Sequence, residues 1–151
     1  MQEDVLPLVS PTEVAGQLRP VLLKLNRELR RETAVFGVTG YQGALLSMIR
    51  KAPGIGVREL AARERIAPAS ISVSVARLER AGLVRRTPDP LDRRRQALWV
   101  TDEGDRILRM VRTRRTAWLA ARLKRLPPEK LRAVFDAIEP LADLLEEDEV
   151  D

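Results

Sequence analysis

The sequence predicts a mainly α-helical fold that contains one small β-hairpin. Apolar residues recur at the three- and four-residue spacing of amphipathic helices over most of the 151 residues. Between residues 83 and 100 this spacing gives way to two short strands, separated by a turn-rich, basic loop. The chain contains no internal repeat and no low-complexity linker, so one domain covering residues 1–151 is expected.

The first predicted helix begins at residue 10. Ser10 is a candidate N-cap, Pro11 suits the first helical position, and Glu13 would complete a capping box. Pro20 interrupts the backbone hydrogen bonding, but the apolar face continues past it, which favours a kink over an end. That apolar face comprises Val14, Leu18, Val21, Leu22, Leu25 and Leu29.

Three shorter helices are predicted next. One starts at Thr39, where Gln42 completes a second capping box, and a Pro-Gly pair ends it. Another covers Val57 to Arg65, and a fourth helix of the chain opens at Pro68. The apolar residues expected to face inward are Leu45, Met48, Ile49, Leu60, Ala61, Ile71, Val75 and Leu78.

A hairpin and two further helices complete the prediction. Gly82 suits the left-handed residue that ends a helix, and strands over residues 83–87 and 96–100 then flank a charged loop. Thr101 caps a long helix whose acidic first turn complements the helix dipole. After Pro127-Pro128, a last helix with an internal Pro140 is expected. Its apolar residues are Leu131, Val134, Phe135, Ile138, Leu141, Leu144 and Leu145.

Charge is segregated along the chain. Residues 56–126 carry 18 basic and 8 acidic side chains, whereas residues 127–151 carry 2 basic and 9 acidic ones. A concentrated positive field attracts polyanions, chiefly nucleic acid. A GC-rich genome explains why Arg outnumbers Lys by 23 to 4, but it does not explain the segregation. The acidic tail Glu146–Glu149 is either a docking element or a frayed, solvated terminus.

Two residue types are missing, and their absence narrows the chemistry. Without Cys there is no disulfide, zinc–thiolate cluster or cysteine redox sensor, and without His the commonest metal ligand and general base are lost. No catalytic residues, cofactor or metal are therefore expected. The acidic N-terminus and the lack of an apolar run of about 20 residues favour a cytoplasmic protein over a secreted or membrane one.

The order of elements predicts a winged helix-turn-helix over residues 38–101, between helical arms at 10–35 and 102–147. In such a module one helix enters the major groove of duplex DNA and a basic hairpin reaches the neighbouring minor groove. We call this hairpin, residues 83–100, the wing. An ordinary solvated helix is the alternative interpretation of the fourth helix. Its residues turned away from the core are Ala69, Ser70, Val73, Ala76, Arg77 and Arg80.

Several segments, together with the order of elements, resemble the multiple-antibiotic-resistance-regulator (MarR) family from about residue 12 to 145. They are Gly56-Val57-Arg58-Glu59-Leu60-Ala61, Leu78-Glu79-Arg80-Ala81-Gly82-Leu83-Val84, and Asp89-Pro90-Leu91-Asp92-Arg93-Arg94 with Leu98-Trp99-Val100-Thr101. The wing pattern D-x-x-D-[KR]-R, at a set distance after Gly-Leu-Val, is the most specific part.

The resemblance implies a homodimeric, sequence-specific transcriptional regulator, most often a repressor, that binds a palindromic operator in double-stranded DNA. Its first and last helices would form the dimer, and its fourth helix would read the DNA. Arg94 would enter the minor groove, braced by a salt bridge from Asp92. Arg77 would either contact DNA or pair with Glu79 or the wing. The full set of expected DNA-binding residues is Ser70, Ser72, Val73, Arg77, Asp92, Arg93, Arg94 and Arg95.

One position departs from the family pattern. The family often has Arg in the middle of the recognition helix, where this chain has Ser72-Val73. Val73 cannot make the bidentate guanine contact of an Arg, but it can pack on a thymine methyl group, or DNA shape can carry the specificity.

Other functions stay open at this stage. The family resemblance also implies release from DNA by a small organic effector, for which Tyr41 and Trp118 are either pocket residues or core. A helical protein-interaction adaptor and a non-specific architectural DNA-binding protein are the alternatives to a sequence-specific regulator.

Overall fold

The computed structural model describes residues 9–146, and the tail residues Glu147–Glu149 lie outside this range. The chain forms two compact units, Met1–Arg114 and Arg115–Asp151. No described helix is both long enough and apolar enough to cross a membrane. The elements are α1 (Pro11–Ala34), α2 (Gly40–Lys51), β1 (Ile55–Gly56), α3 (Val57–Glu64), α4 (Pro68–Arg80), β2 (Val84–Pro88), β3 (Gln96–Val100), α5 (Asp102–Leu123), α6 (Pro128–Asp136) and α7 (Ile138–Asp143).

The first helix confirms one part of its prediction and corrects another. Pro20 lies inside α1, which continues to Ala34. Ser10 is the N-cap residue, but its side chain makes no capping hydrogen bond, so the predicted capping box is wrong here. The box predicted for α2 does form, because the Thr39 hydroxyl accepts from the Gln42 N–H at 3.1 Å and the Gln42 side chain accepts from the Thr39 N–H.

The sheet has three strands rather than the two of a simple hairpin. β3 lies between β1 and β2 and pairs antiparallel with both, so that Leu98 stands opposite Ile55 on one side and Arg86 on the other. β1 has only two residues, too few to show a strand period in the sequence. It attaches the base of the wing to the segment that leads directly into α3.

One apolar core fills the first unit. It is formed by α2, β1, α3, α4, the two wing strands and the first turns of α5. Most of the residues predicted to face inward are almost inaccessible to solvent, and Met48 and Tyr41 pack against the edge of the core. Tyr41 is therefore a core residue, which was one of the two roles expected for it. The most deeply buried large side chains are Leu45, Leu46, Ile49, Leu60, Ile71, Val75, Leu78 and Leu98.

The start of α5 is packed tightly against the end of α4. The Thr101 hydroxyl caps the helix by accepting from the Gly104 N–H at 3.1 Å and donates to the Gly82 carbonyl at 2.6 Å. The Thr101 N–H donates to the Leu83 carbonyl at 3.0 Å. Gly82, at φ +76°, adopts the left-handed conformation predicted for it. α4, the wing and α5 are thus joined at one point.

The second unit contains no buried residue in α6 or α7. Its predicted single last helix is divided at Ala137, which corrects the sequence interpretation. Pro140 has no N–H to donate back to Asp136, and the restart at Ile138 places it in the first turn, where none is needed. Trp118 is half-buried, and the Arg122 guanidinium lies 3.5 Å from the centre of its ring.

Candidate nucleic-acid interface

Helix α4 presents a polar face to solvent. Because Ile71, Val75 and Leu78 are buried on the opposite side, Ser70, Val73 and Arg77 are turned outward, and Val73 retains 54% of its accessible surface. Ser72 is half-buried at the edge of this face. Pro68 provides the first helical position, and the N-cap residue Ala67 makes no side-chain capping bond. The small residues near this end leave the backbone accessible to a large ligand.

A non-glycine residue makes the turn between α3 and α4. Arg65 has φ +53°, the left-handed conformation that usually falls to Gly or Asn. The Arg65 and Ile66 N–H groups donate to the Ala62 and Ala61 carbonyls and so close the end of α3. Nothing in the sequence marks Arg65 for this conformation.

Two aspartates shape the tip of the wing. Asp89 accepts from the Leu91 N–H and Asp92 accepts from the Arg94 N–H, each at 2.9 Å. The backbone closes the loop, with the Asp89 N–H donating to the Arg95 carbonyl at 3.0 Å. The Leu91 N–H, and to a lesser degree the nearby Arg95 charge, hold the pKa of Asp89 below its usual value.

The bracing role predicted for Asp92 takes a different form. The resemblance implied a salt bridge between the Asp92 carboxylate and the Arg94 guanidinium, whereas the carboxylate accepts from the Arg94 backbone N–H. The two residues are only two positions apart in a tight turn, so the backbone is the nearer donor. Asp92 therefore shapes the loop and leaves the Arg94 side chain without an ion pair among the described residues.

The three consecutive arginines of the wing have different surroundings. Within residues 9–146 the side chains of Arg93 and Arg94 make no hydrogen bond or ion pair, whereas Arg95 bonds Asp89 at 3.1 Å and Glu59 at 3.2 Å. Beside them Leu91, which sequence reasoning did not single out, retains 97% of its accessible surface.

Arg77 does not form the pair with Glu79 that was one of its two predicted roles. The Glu79 carboxylate accepts from Arg86 of β2 at 2.7 Å and so joins α4 to the wing. Arg77 itself makes no side-chain bond in the described part of the chain.

Trp99 joins the two wing strands to the segment before β1. Its Nε1 donates to the Thr87 hydroxyl at 2.8 Å, and its ring lies under Gly54.

One open cleft of about 720 Å³ brings several predicted site residues together. It lies between the starts of α3 and α4 and the wing, and Ser72, Asp92, Arg94 and Arg95 line it. The lining of the cleft does not include Ser70, Val73 or Arg77 of α4, nor Arg93 of the wing loop. The residues that line this cleft include four arginines and two acidic residues, namely Arg58, Arg86, Arg94, Arg95, Glu59 and Asp92.

Three comparisons place the chain among known proteins. Residues 36–95 match the family model described as the MarR family. An uncharacterized HTH-type transcriptional regulator of Mycobacterium bovis is 30% identical, over 91% of this chain and 94% of that protein. The HTH-type transcriptional repressor MdtR of Bacillus subtilis is also 30% identical, over 91% of this chain and 89% of its own length.

Solved structures of transcriptional regulators share this fold. A crystal structure of a transcriptional regulator from Thermotoga maritima superposes with a TM-score of 0.72 at 28% identity, covering 89% of this chain and 94% of that one. The helices, the three-stranded sheet and the wing described above are thus those of a known regulator fold. The chain belongs to the MarR family, whose members are DNA-binding transcriptional regulators and not enzymes.

Proposed function

We propose that this regulator is a cytoplasmic repressor that binds a palindromic operator as a homodimer. Helix α4 reads base edges in the major groove through Ser70, Ser72, Val73 and Arg77, and Arg93 and Arg94 of the wing meet the adjacent minor groove and backbone. The observation that carries this proposal is that the guanidinium groups of Arg93 and Arg94 make no bond to any residue of the range 9–146, on a loop that two aspartates already hold in shape. Such groups are available to a polyanion without first breaking a protein contact.

Exposed apolar side chains support the proposal that the protein is a homodimer. On α1, Val14, Val21 and Leu22 each retain about half of their accessible surface, and Phe135 and Ile138 of the second unit retain 64% and 58%. Each unit thus has exposed apolar side chains of its own, and exposed apolar surface of this kind marks an interface. A two-fold dimer would place two recognition helices roughly 34 Å apart and so requires half-sites about 10 bp apart.

Selection of duplexes from a random-sequence pool, followed by footprinting, tests the function itself. We expect one enriched palindrome and a discrete protected site. Protection without any preferred sequence would instead support an architectural DNA-binding protein, and enrichment of no duplex would support the adaptor alternative.

The family resemblance supplies the last part of the proposal, which is release of the operator by a small organic effector.

Arg94→Ala is expected to weaken operator binding by about 1–3 kcal/mol, the usual scale for one specific interaction with DNA. The slope of log affinity against log salt should also fall in magnitude by about one for each phosphate that the variant no longer neutralises. Arg19→Ala on α1 is the matched control, since it removes the same charge from an exposed arginine that has no ion pair within residues 9–146. Equal affinities and slopes for the two variants would remove Arg94 from the interface.

Val73→Arg is expected to change which operator is preferred, because the side chain at position 73 is exposed on the face of α4 proposed to enter the groove. An arginine there can make the bidentate guanine contact that valine cannot. Parallel selections with both proteins measure the change. The same consensus from both would show that position 73 does not face the bases.

A further inference from the structure

Arg95 spans three parts of the first unit. Its Nη1 donates to Asp89 at the base of the wing loop, and its Nη2 lies 3.2 Å from the Glu59 carboxylate of α3 and 3.5 Å from the Gly54 carbonyl. We call the contacts of Arg95 with Asp89 and Glu59 the wing bridge. Glu59 and Arg95 are 36 residues apart in the sequence, so the bridge ties the base of the wing loop to the helix that supports α4.

The surroundings of Arg95 restrict its side chain mainly at the Asp89 end, since the Arg95 and Glu59 side chains are 42% and 47% exposed. The side chain lies across Gly56, where a Cβ atom would come within 2.7 Å of Arg95 Nε. The Asp89 side chain is only 13% exposed, so this end of the bridge is sheltered from solvent. Arg93 and Arg94, the neighbours in sequence, have no such partners among the described residues.

We propose that Arg95 is a positioning residue that, through the wing bridge, holds the wing in the orientation from which Arg93 and Arg94 meet DNA. This inference rests on the proposed function of the wing and refines the expectation that Arg95 itself contacts DNA. A wing held in its bound orientation loses less conformational freedom on binding, which raises affinity without adding a contact.

The sign of the effect at Glu59 distinguishes positioning from direct contact. The Glu59 carboxylate also accepts from Arg63 at 2.9 Å. If Arg95 contacts phosphate, Glu59 competes with DNA for both arginines and repels DNA, so Glu59→Gln should strengthen binding. If the wing bridge positions the wing, the same change should weaken binding even though it removes a negative charge near a polyanion. Ordinary long-range electrostatics cannot produce that second result.

The experiment is a double-mutant cycle of Glu59→Gln and Arg95→Gln, with the duplex selected by the wild-type protein as probe. We expect each single variant to bind about threefold to tenfold more weakly, and the double variant to bind no more weakly than either. The salt slope should stay unchanged, in contrast to that of Arg94→Ala. Glu64→Gln, also on α3 and without an ion pair among the described residues, is the control, and it should bind as well as or slightly better than wild type.

Tighter binding by Glu59→Gln, additive effects in the double variant, or a reduced salt slope for Arg95→Gln would each overturn the inference. A measurement without DNA distinguishes failure of this inference from failure of the proposed function. Amide hydrogen exchange over residues 89–95 should quicken about threefold to tenfold in both single variants, at unchanged thermal stability of the whole chain. Unchanged exchange would overturn the wing bridge whether or not the protein binds an operator.

Discussion

Deletion of residues 127–151 is expected to abolish operator binding, although every residue of the proposed DNA interface remains. The deleted segment includes α6 and α7, whose apolar side chains are exposed in the single chain. If these side chains are buried against a second copy, the truncated chain cannot present two recognition helices at the spacing of a palindrome. Sedimentation and footprinting at the same protein concentration measure both consequences.

A point variant keeps this prediction testable if the truncated chain aggregates. Phe135→Glu places a charge within the exposed apolar face of α6 and should give a monomer with operator binding at least roughly tenfold weaker. Ala133→Glu adds the same charge about 160° around the same helix from Leu131 and Phe135, and should leave the dimer intact. A monomeric wild-type protein, or a truncated monomer that still protects the whole palindrome, would contradict the dimer.

Gly104→Ala is expected to destabilise the protein by about 1–2 kcal/mol, since overpacking costs up to about 3 kcal/mol and the helix preference of alanine offsets part of that cost. A Cβ atom at this position would overlap the Leu83 carbonyl oxygen and lie 2.7 Å from a Val100 methyl group. The overlapped oxygen is the acceptor of the Thr101 N–H, so relief of the clash must loosen the junction of α4, the wing and α5. This cost outweighs the roughly 1 kcal/mol by which alanine favours a helix over glycine.

Gly16→Ala is the matched control for this prediction. Gly16 is also helical, and among the described residues no atom outside the backbone of its own helix lies within 4 Å of its added Cβ. It lies on the side of α1 opposite the apolar face. There the same substitution should stabilise the protein by about 0.5–1 kcal/mol. Denaturant unfolding at one protein concentration measures both, because a dimer's stability depends on concentration. Stabilisation by both substitutions would show that α5 does not approach Leu83 this closely.

Much of the first unit could be predicted from local patterns. Helix starts at Thr39 and Pro68 follow from capping and proline chemistry, and the stripe of Ile71, Val75 and Leu78 follows from the 3.6-residue period. These signals act within one or two turns of the residue that carries them, so a single sequence displays them fully. The division at Ala137 was missed because an apolar stripe continues through Pro140 regardless of where the backbone bonding restarts.

The sequence by itself determined the order of the helices up to α5, the wing, the inward face of α4 and the concentration of positive charge between residues 56 and 126. Only the tertiary structure decided which arginines of the wing are bonded within the described chain and which are not. Arg93, Arg94 and Arg95 are the same residue type in succession, and what separates them is Glu59, which lies 36 residues from Arg95. Side-chain pairing depends on groups that folding brings together from distant parts of the chain, and the local periodicity of the sequence does not indicate which groups these are.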